Sequence, residues 1–124
     1  MTTIAIVNND DRTRGIIRRL LREAGYRVRE YADTESALEL CEHPADLAIL
    51  DRTNRPLKGP ELFVRIRARN AMPVVFASGS SMLEEELAQL HVQPRAVIDL
   101  PFMNTEFLET VRRVLAVRVE APGS

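Results

Sequence analysis

Five short β-rich runs alternate along this chain with segments of helical period, and no other feature restricts the possible folds as much. The runs are Thr3–Val7, Arg27–Tyr31, Leu47–Leu50, Val74–Ala77 and Ala96–Ile98. Four are nearly all apolar, as suits a parallel strand covered on both faces. The second, within "YRVREY", alternates polar and apolar residues, which predicts an edge strand. Between the runs, Ile16, Ile17, Leu20, Leu21 and Ala24 mark one face of a helix that ends before Gly25. Ala37, Leu38 and Cys41 mark a second, stopped by Pro44, and Leu62, Phe63 and Ile66 mark a third. Leu83, Leu87 and Leu90 mark a fourth, opened by the capping-box pattern Ser81-x-x-Glu84. Phe107, Val111, Val114 and Leu115 mark a fifth, with Asn104 as its expected N-cap. Such βα alternation implies a parallel sheet with helices on both faces. Function in such folds sits beyond the carboxyl ends of the strands.

Size and composition bound the function classes. The 124 residues, 45% hydrophobic and 28% charged, are enough for one well-buried core. No apolar run is long enough to span a bilayer, and the N-terminus lacks the pattern of a signal peptide. A cytoplasmic protein is therefore expected, with no membrane partner. A lone Cys41, expected to be buried on a helix face, excludes an internal disulfide. A net charge of −1 argues against nucleic-acid binding by this domain. "VEAPGS" is small and turn-prone, so the folded unit is expected over 1–118, with 119–124 a tail or linker start.

The strand ends are chemically specific. The first run empties into Asn8-Asn9-Asp10-Asp11, the third into Asp51, the fourth into Ser78 and the fifth into Leu100-Pro101. An aspartate directly after "DLAIL" has no capping role of its own, and its plain alternative is a turn residue. On these residues the chain resembles the receiver domain of two-component response regulators, over residues 3 to about 117. "IVNNDDRTRGIIRRLLREAGY", "DLAILDRTNRPLKGPELFVRIR", "PVVFAS" and "AVIDLPF" carry the likeness. The resemblance implies a flavodoxin-like, doubly wound (βα)5 fold with a parallel five-stranded sheet in order 2-1-3-4-5. The first and fifth helices would lie on one face and the second to fourth on the other. It also implies a bacterial, two-component signalling module rather than an enzyme.

The family's chemistry is phosphoryl transfer from a kinase histidine to an aspartate, and by resemblance Asp51 is that acceptor. A carboxylate attacking an anionic phosphoryl group needs its charge neutralised. The family uses magnesium, held by an acidic pair after strand one, the acceptor and a carbonyl two residues beyond it. A hydroxyl after strand four and a lysine after strand five hold the phosphoryl oxygens. Here Asp51 and Ser78 are present and Thr53 offers the carbonyl. The acidic pair has become Asn8-Asn9, the lysine Leu100, and the switch aromatic Val97.

Each lost carboxylate removes an attraction of roughly 4 kcal/mol at about 4 Å and an effective dielectric of about 20. Magnesium depends on hard anionic ligands, so no cofactor is expected unless Asp10 or Asp11 swings in. The simpler role of those two is to cap the first helix. A guanidinium from Arg12, Arg52 or Arg55, or Lys58, is a candidate to pair with Asp51 in the metal's place, against a plain solvated basic loop. Leu100 is expected to fill the lysine's space behind a cis Leu100–Pro101 bond and to close the pocket.

Arg14, Arg18 and Arg22 form a stripe on the first helix, either solubilising or facing a kinase. Glu84, Glu85 and Glu86 against Arg112, Arg113 and Arg118 suggest a homodimer through the fourth helix, fifth strand and fifth helix. His43 and His91 sit at helix ends without metal-ligand company.

The favoured expectation is an atypical receiver: an interaction module working without ordinary magnesium-dependent phosphorylation. Its partner would be a histidine kinase, phosphotransfer protein or effector domain. One alternative is a receiver still phosphorylated at Asp51. Another is a small flavodoxin-like enzyme or nucleotide binder, which needs a phosphate-cradling loop after strand one. "NNDDR" is anionic and glycine-free there, and "FASGSS" is not a hydrolase elbow.

Overall fold

Consecutive apolar residues along a strand are all buried only when helices cover both sides of the sheet, and the chain is built that way. The structure, a computed structural model, describes residues 1–79 and 82–117. Strands β1 (Thr3–Val7), β2 (Arg27–Tyr31), β3 (Leu47–Leu50), β4 (Val74–Ser78) and β5 (Ala96–Asp99) form one sheet. Their order is β2-β1-β3-β4-β5 and every neighbouring pair is parallel. The connecting helices are α1 (Asp11–Glu23), α2 (Thr34–Ala37), α3 (Glu39–Glu42), α4 (Gly59–Arg67), α5 (Leu83–Gln89) and α6 (Asn104–Ala116).

The period of two divides each strand between two cores. Ala5, Val7, Ala48, Leu50, Val74 and Phe76 point to one side, where Leu40, Leu62, Phe63, Leu83 and Leu87 from α3, α4 and α5 cover them. Ile4, Ile6, Leu47, Ile49, Val75 and Ala77 point to the other, under Ile17 and Leu21 of α1 and Phe107 and Val111 of α6. The helix faces are therefore those expected.

Local chemistry sets the ends. Gly25 adopts φ 96° after α1, and the Gly25 and Tyr26 N–H groups donate back to Arg22 and Leu21. His91 fills the corresponding left-handed position after α5, at φ 57°.

Several expectations are corrected. The second predicted helix is two short pieces, because Leu38 and Cys41 donate to the third residue back, to Glu35 and Leu38, and tighten the turn there. Asn104 is the first residue of α6 rather than its cap; the cap position is Met103, with no side-chain bond. Cys41 is half-buried at the edge of a core, and that burial raises its thiol pKa. The capping box depends on Ser81, which lies outside the described residues, as do Arg118 and the 119–124 tail.

Candidate functional site

Parallel register brings the carboxyl ends of β1, β3 and β4 side by side, with Val7 beside Leu50 and Leu50 beside Phe76. The residues that follow these ends form the candidate site. Asn8 is buried, and its backbone N–H extends the ladder to the Tyr31 carbonyl at 3.1 Å. Its side-chain Oδ1 accepts from the Asp10 N–H at 2.8 Å. The Asn9 carboxamide turns away from β3, donating to the Ala32 carbonyl at 2.6 Å.

Asp10 caps α1. Its carboxylate accepts from the Arg12 and Thr13 N–H groups and, at 2.5 Å, from the Thr13 hydroxyl. The Thr13 hydroxyl bond is the main cause of its lowered pKa. Asp11 pairs with Arg14 on the exposed side of α1. Both aspartates therefore have helix-end roles.

Asp51 follows β3 directly, half-buried, and its Oδ2 accepts from the Thr53 hydroxyl at 2.7 Å. Among the described residues no ion pair reaches Asp51. Of the two alternatives for the basic loop, the guanidinium partner is not the one seen: Arg52 forks onto Glu86 of α5, with Nη2 to Oε2 at 3.3 Å, and also donates to the Met82 sulfur. A planar fork meets a carboxylate better there, in a pair only 15% and 22% exposed. Arg12, Arg55 and Lys58 are exposed. Arg55 and Lys58 line a groove of about 780 Å³ with Asn9, Asp33 and Thr53.

Ser78 ends β4, is buried, and sits in register with Asp99. The Leu100–Pro101 bond is cis, as is Arg55–Pro56. Leu100 packs against the core under α1 and α6. A groove of about 520 Å³ lies beside it, lined by Thr13, Ile16, Pro101, Phe102 and Asn104. Its packing partners belong to the α1–α6 face, which draws it to that side. Val97 is 39% exposed and lines a groove of about 750 Å³ with Leu87, His91 and Pro94, between α5 and β5.

Three contacts were not legible in the sequence. Asn54, 1% exposed, lies beneath the site and bonds to the last carbonyl of β1 and to that of Asp51, just past β3. Arg14 donates to the Asn8 carbonyl at 2.8 Å and also reaches Glu30, which Arg18 shares. Two members of the arginine stripe are therefore structural. Glu86, expected to face a second subunit, is held by Arg52. The only advance signal for Asn54 was a carboxamide close to strand ends that leave backbone groups to satisfy. Among the described residues no group of three or more His, Cys, Asp or Glu side chains is placed to hold a metal ion. No helix among them is long and apolar enough to cross a membrane.

A sheet in this order, with an aspartate after β3, a hydroxyl closing β4 and a proline step after β5, defines a signalling module of the receiver type. The profile of the response regulator receiver domain matches residues 4–112, and the chain belongs to that family. Among curated relatives, Sensory transduction protein RegX3 of Mycolicibacterium smegmatis is 25% identical over 116 residues, covering 93% of this chain and 51% of that protein. The same-named protein of Mycobacterium bovis is 24% identical over an equal length. The chain thus spans about half the length of these relatives.

Solved structures share the fold. A CheY-like receiver domain protein from Methanospirillum hungatei superposes with TM-score 0.84 at 24% identity, covering 94% of each chain. The receiver domain of sensor histidine kinase PA1611 from Pseudomonas aeruginosa, solved with magnesium in its active-site cleft, gives 0.84 at 22% identity over 93% of this chain and 98% of that one. Receiver domains of response regulators act in signal transduction, and this chain is one of them.

Proposed function

We propose that this receiver acts as a protein-interaction module that does not depend on magnesium-assisted phosphorylation of Asp51. The observation that carries this reading is the donor set at the strand ends. Asn8 and Asn9 are neutral, and their side chains are already bonded to the Asp10 N–H and the Ala32 carbonyl. Among the described residues Asp51 is then the one carboxylate directly at the β1 and β3 ends left for a divalent ion, and Asp10 is committed to capping α1. Such a set does not fit magnesium, which keeps its waters unless anionic oxygens replace them.

On the phosphoryl side, Leu100 supplies no positive charge, and Arg52 is neutralised by Glu86. An incoming phosphoryl group would approach the Asp51 carboxylate with little to offset their repulsion. Partners of matching chemistry are a histidine kinase, a phosphotransfer protein or an effector domain, engaged without a phosphoryl trigger.

The test is intact mass after incubation with acetyl phosphate and millimolar magnesium. The wild-type chain should carry no adduct. An Asn8→Asp, Asn9→Asp, Leu100→Lys variant should gain one that Asp51→Asn removes. An adduct on the unmodified chain that disappears in Asp51→Asn would instead establish a receiver phosphorylated at Asp51.

A further inference from the structure

We infer that the Asn54 carboxamide is a built-in brace across the candidate site, joining the ends of β1 and β3 by neutral hydrogen bonds as a cation joins carboxylates in a charged site. The inference rests on the metal-free reading proposed above. Asn54 lies three residues beyond Asp51 and is 1% exposed. Its Nδ2 donates to the Val7 carbonyl, the last of β1, at 3.0 Å. The same nitrogen donates to the Asp51 carbonyl, just past β3, at 2.9 Å. Its Oδ1 accepts the Asn9 N–H at 3.2 Å.

The amide's orientation is dictated by its partners. Two carbonyls need donors and one N–H needs an acceptor, and only one placement of oxygen and nitrogen meets all three. A carboxylate at position 54 would lose both donors and set its charge against two carbonyl oxygens. An apolar residue would leave the Val7 and Asp51 carbonyls and the Asn9 N–H without this partner. Buried backbone groups left that way are costly.

The neighbouring side chains extend the same device. Thr53 ties the Asp51 carboxylate, while Asn8 and Asn9 tie the Asp10 N–H and the Ala32 carbonyl. Three strand-end loops are thus crosslinked by uncharged groups. The site should hold one geometry whether or not divalent ions are in solution.

Hydrogen exchange followed by NMR tests the brace. In the wild-type chain the Asn54 Nδ2 protons should exchange at least about tenfold more slowly than those of exposed Asn104. Neither EDTA nor millimolar magnesium should change that ratio. In Asn54→Leu the Asn9 amide should lose protection by about tenfold relative to the Ile49 amide in the same chain. Asn54 protons exchanging as fast as those of Asn104, or an Asn9 amide unmoved in Asn54→Leu, would overturn the brace. Loss of wild-type protection on adding EDTA would do the same, since a cation would then be holding the site. The wild-type measurement stands if the variant does not fold. An adduct in the mass experiment would sink the metal-free reading while leaving these rates as they are.

Discussion

At the β1 and β3 ends of the cleft, Asn9 and Asn54 use neutral amides to tie one loop to the next, and Asn8 braces its own. At the β5 end, Leu100 and Phe102 pack as hydrocarbon against the α1–α6 core, and Phe102 stacks on Phe107 with ring centroids 4.7 Å apart. Under the function proposed above, both rims do without charge, by different routes. An asparagine keeps the shape and hydrogen-bonding reach of an aspartate and gives up only its charge. A leucine keeps neither the charge nor the hydrogen bonds of a lysine, and holds its place through packing. The first rim remains a polar, directional structure, whereas the second has become an extension of the core.

The largest expected effect separates the rims by backbone approach. A Cβ on Gly59, at the start of α4, would lie 2.1 Å from the Asp51 carbonyl oxygen and 3.0 Å from the Phe76 ring. That oxygen is the one Asn54 holds, so α4, the β3 loop and the brace would all have to shift. Gly59→Ala should cost about 3 kcal/mol in urea unfolding. Gly79, beside Leu100, has its nearest neighbours at 3.6 and 3.7 Å, ordinary contact distances. Gly79→Ala should change stability by about 0.5 kcal/mol or less. Equal costs at the two positions would show that the rims do not differ in tightness.

A smaller effect tests whether the acceptor loop is fixed to α5. Arg52 and Glu86 form a forked, mostly buried pair, and a double-mutant cycle with Arg52→Met and Glu86→Gln should give a coupling of about 1–2 kcal/mol. The exposed Arg19–Glu23 pair on α1, with side chains 79% and 63% exposed, should give about 0.3–0.5 kcal/mol and fade in salt. A coupling between Arg52 and Glu86 no larger than the surface value would mean that α5 and the acceptor loop move independently.

Sequence pattern carried the sheet and the strand-end residues, because both are local in origin. An apolar run of four or five residues declares a buried parallel strand, and whatever follows it must emerge at the cleft. Asp51 and Ser78 were legible for that reason. What failed to show depended on distance along the chain. Arg52 and Glu86 are 34 residues apart, and Asn54 and Val7 are 47 apart, so only the packed sheet reveals them as partners. Arg52 read as a candidate partner for its neighbour Asp51, but the better geometry lay across the loop. In the sequence alone Asn54 is one polar residue among several in a loop, since three-way bonding to strand ends leaves no mark on its own surroundings.

The smallest expected effect is in acid, on the polar rim and the loop after β2. Asp10 caps α1 and Asp33 caps α2. Both have pKa values lowered from the ordinary 3.8, Asp10 chiefly by the Thr13 hydroxyl and Asp33 chiefly by the Ser36 N–H. A carboxyl with a folded pKa below its unfolded value contributes stability above the unfolded value, and loses it as pH falls through the folded one. Unfolding free energy should therefore hold level down to about pH 4 and then decline. Asp10 is exposed and Asp33 half-exposed, so the decline should be shallow and should weaken further in salt. Asparagine keeps the capping oxygen and removes the titration, so Asp10→Asn with Asp33→Asn should flatten this acid limb without abolishing folding. Stability that falls just as steeply in the double variant would assign the acid sensitivity to other carboxylates. The two caps would then be indifferent to charge, like the asparagines beside them.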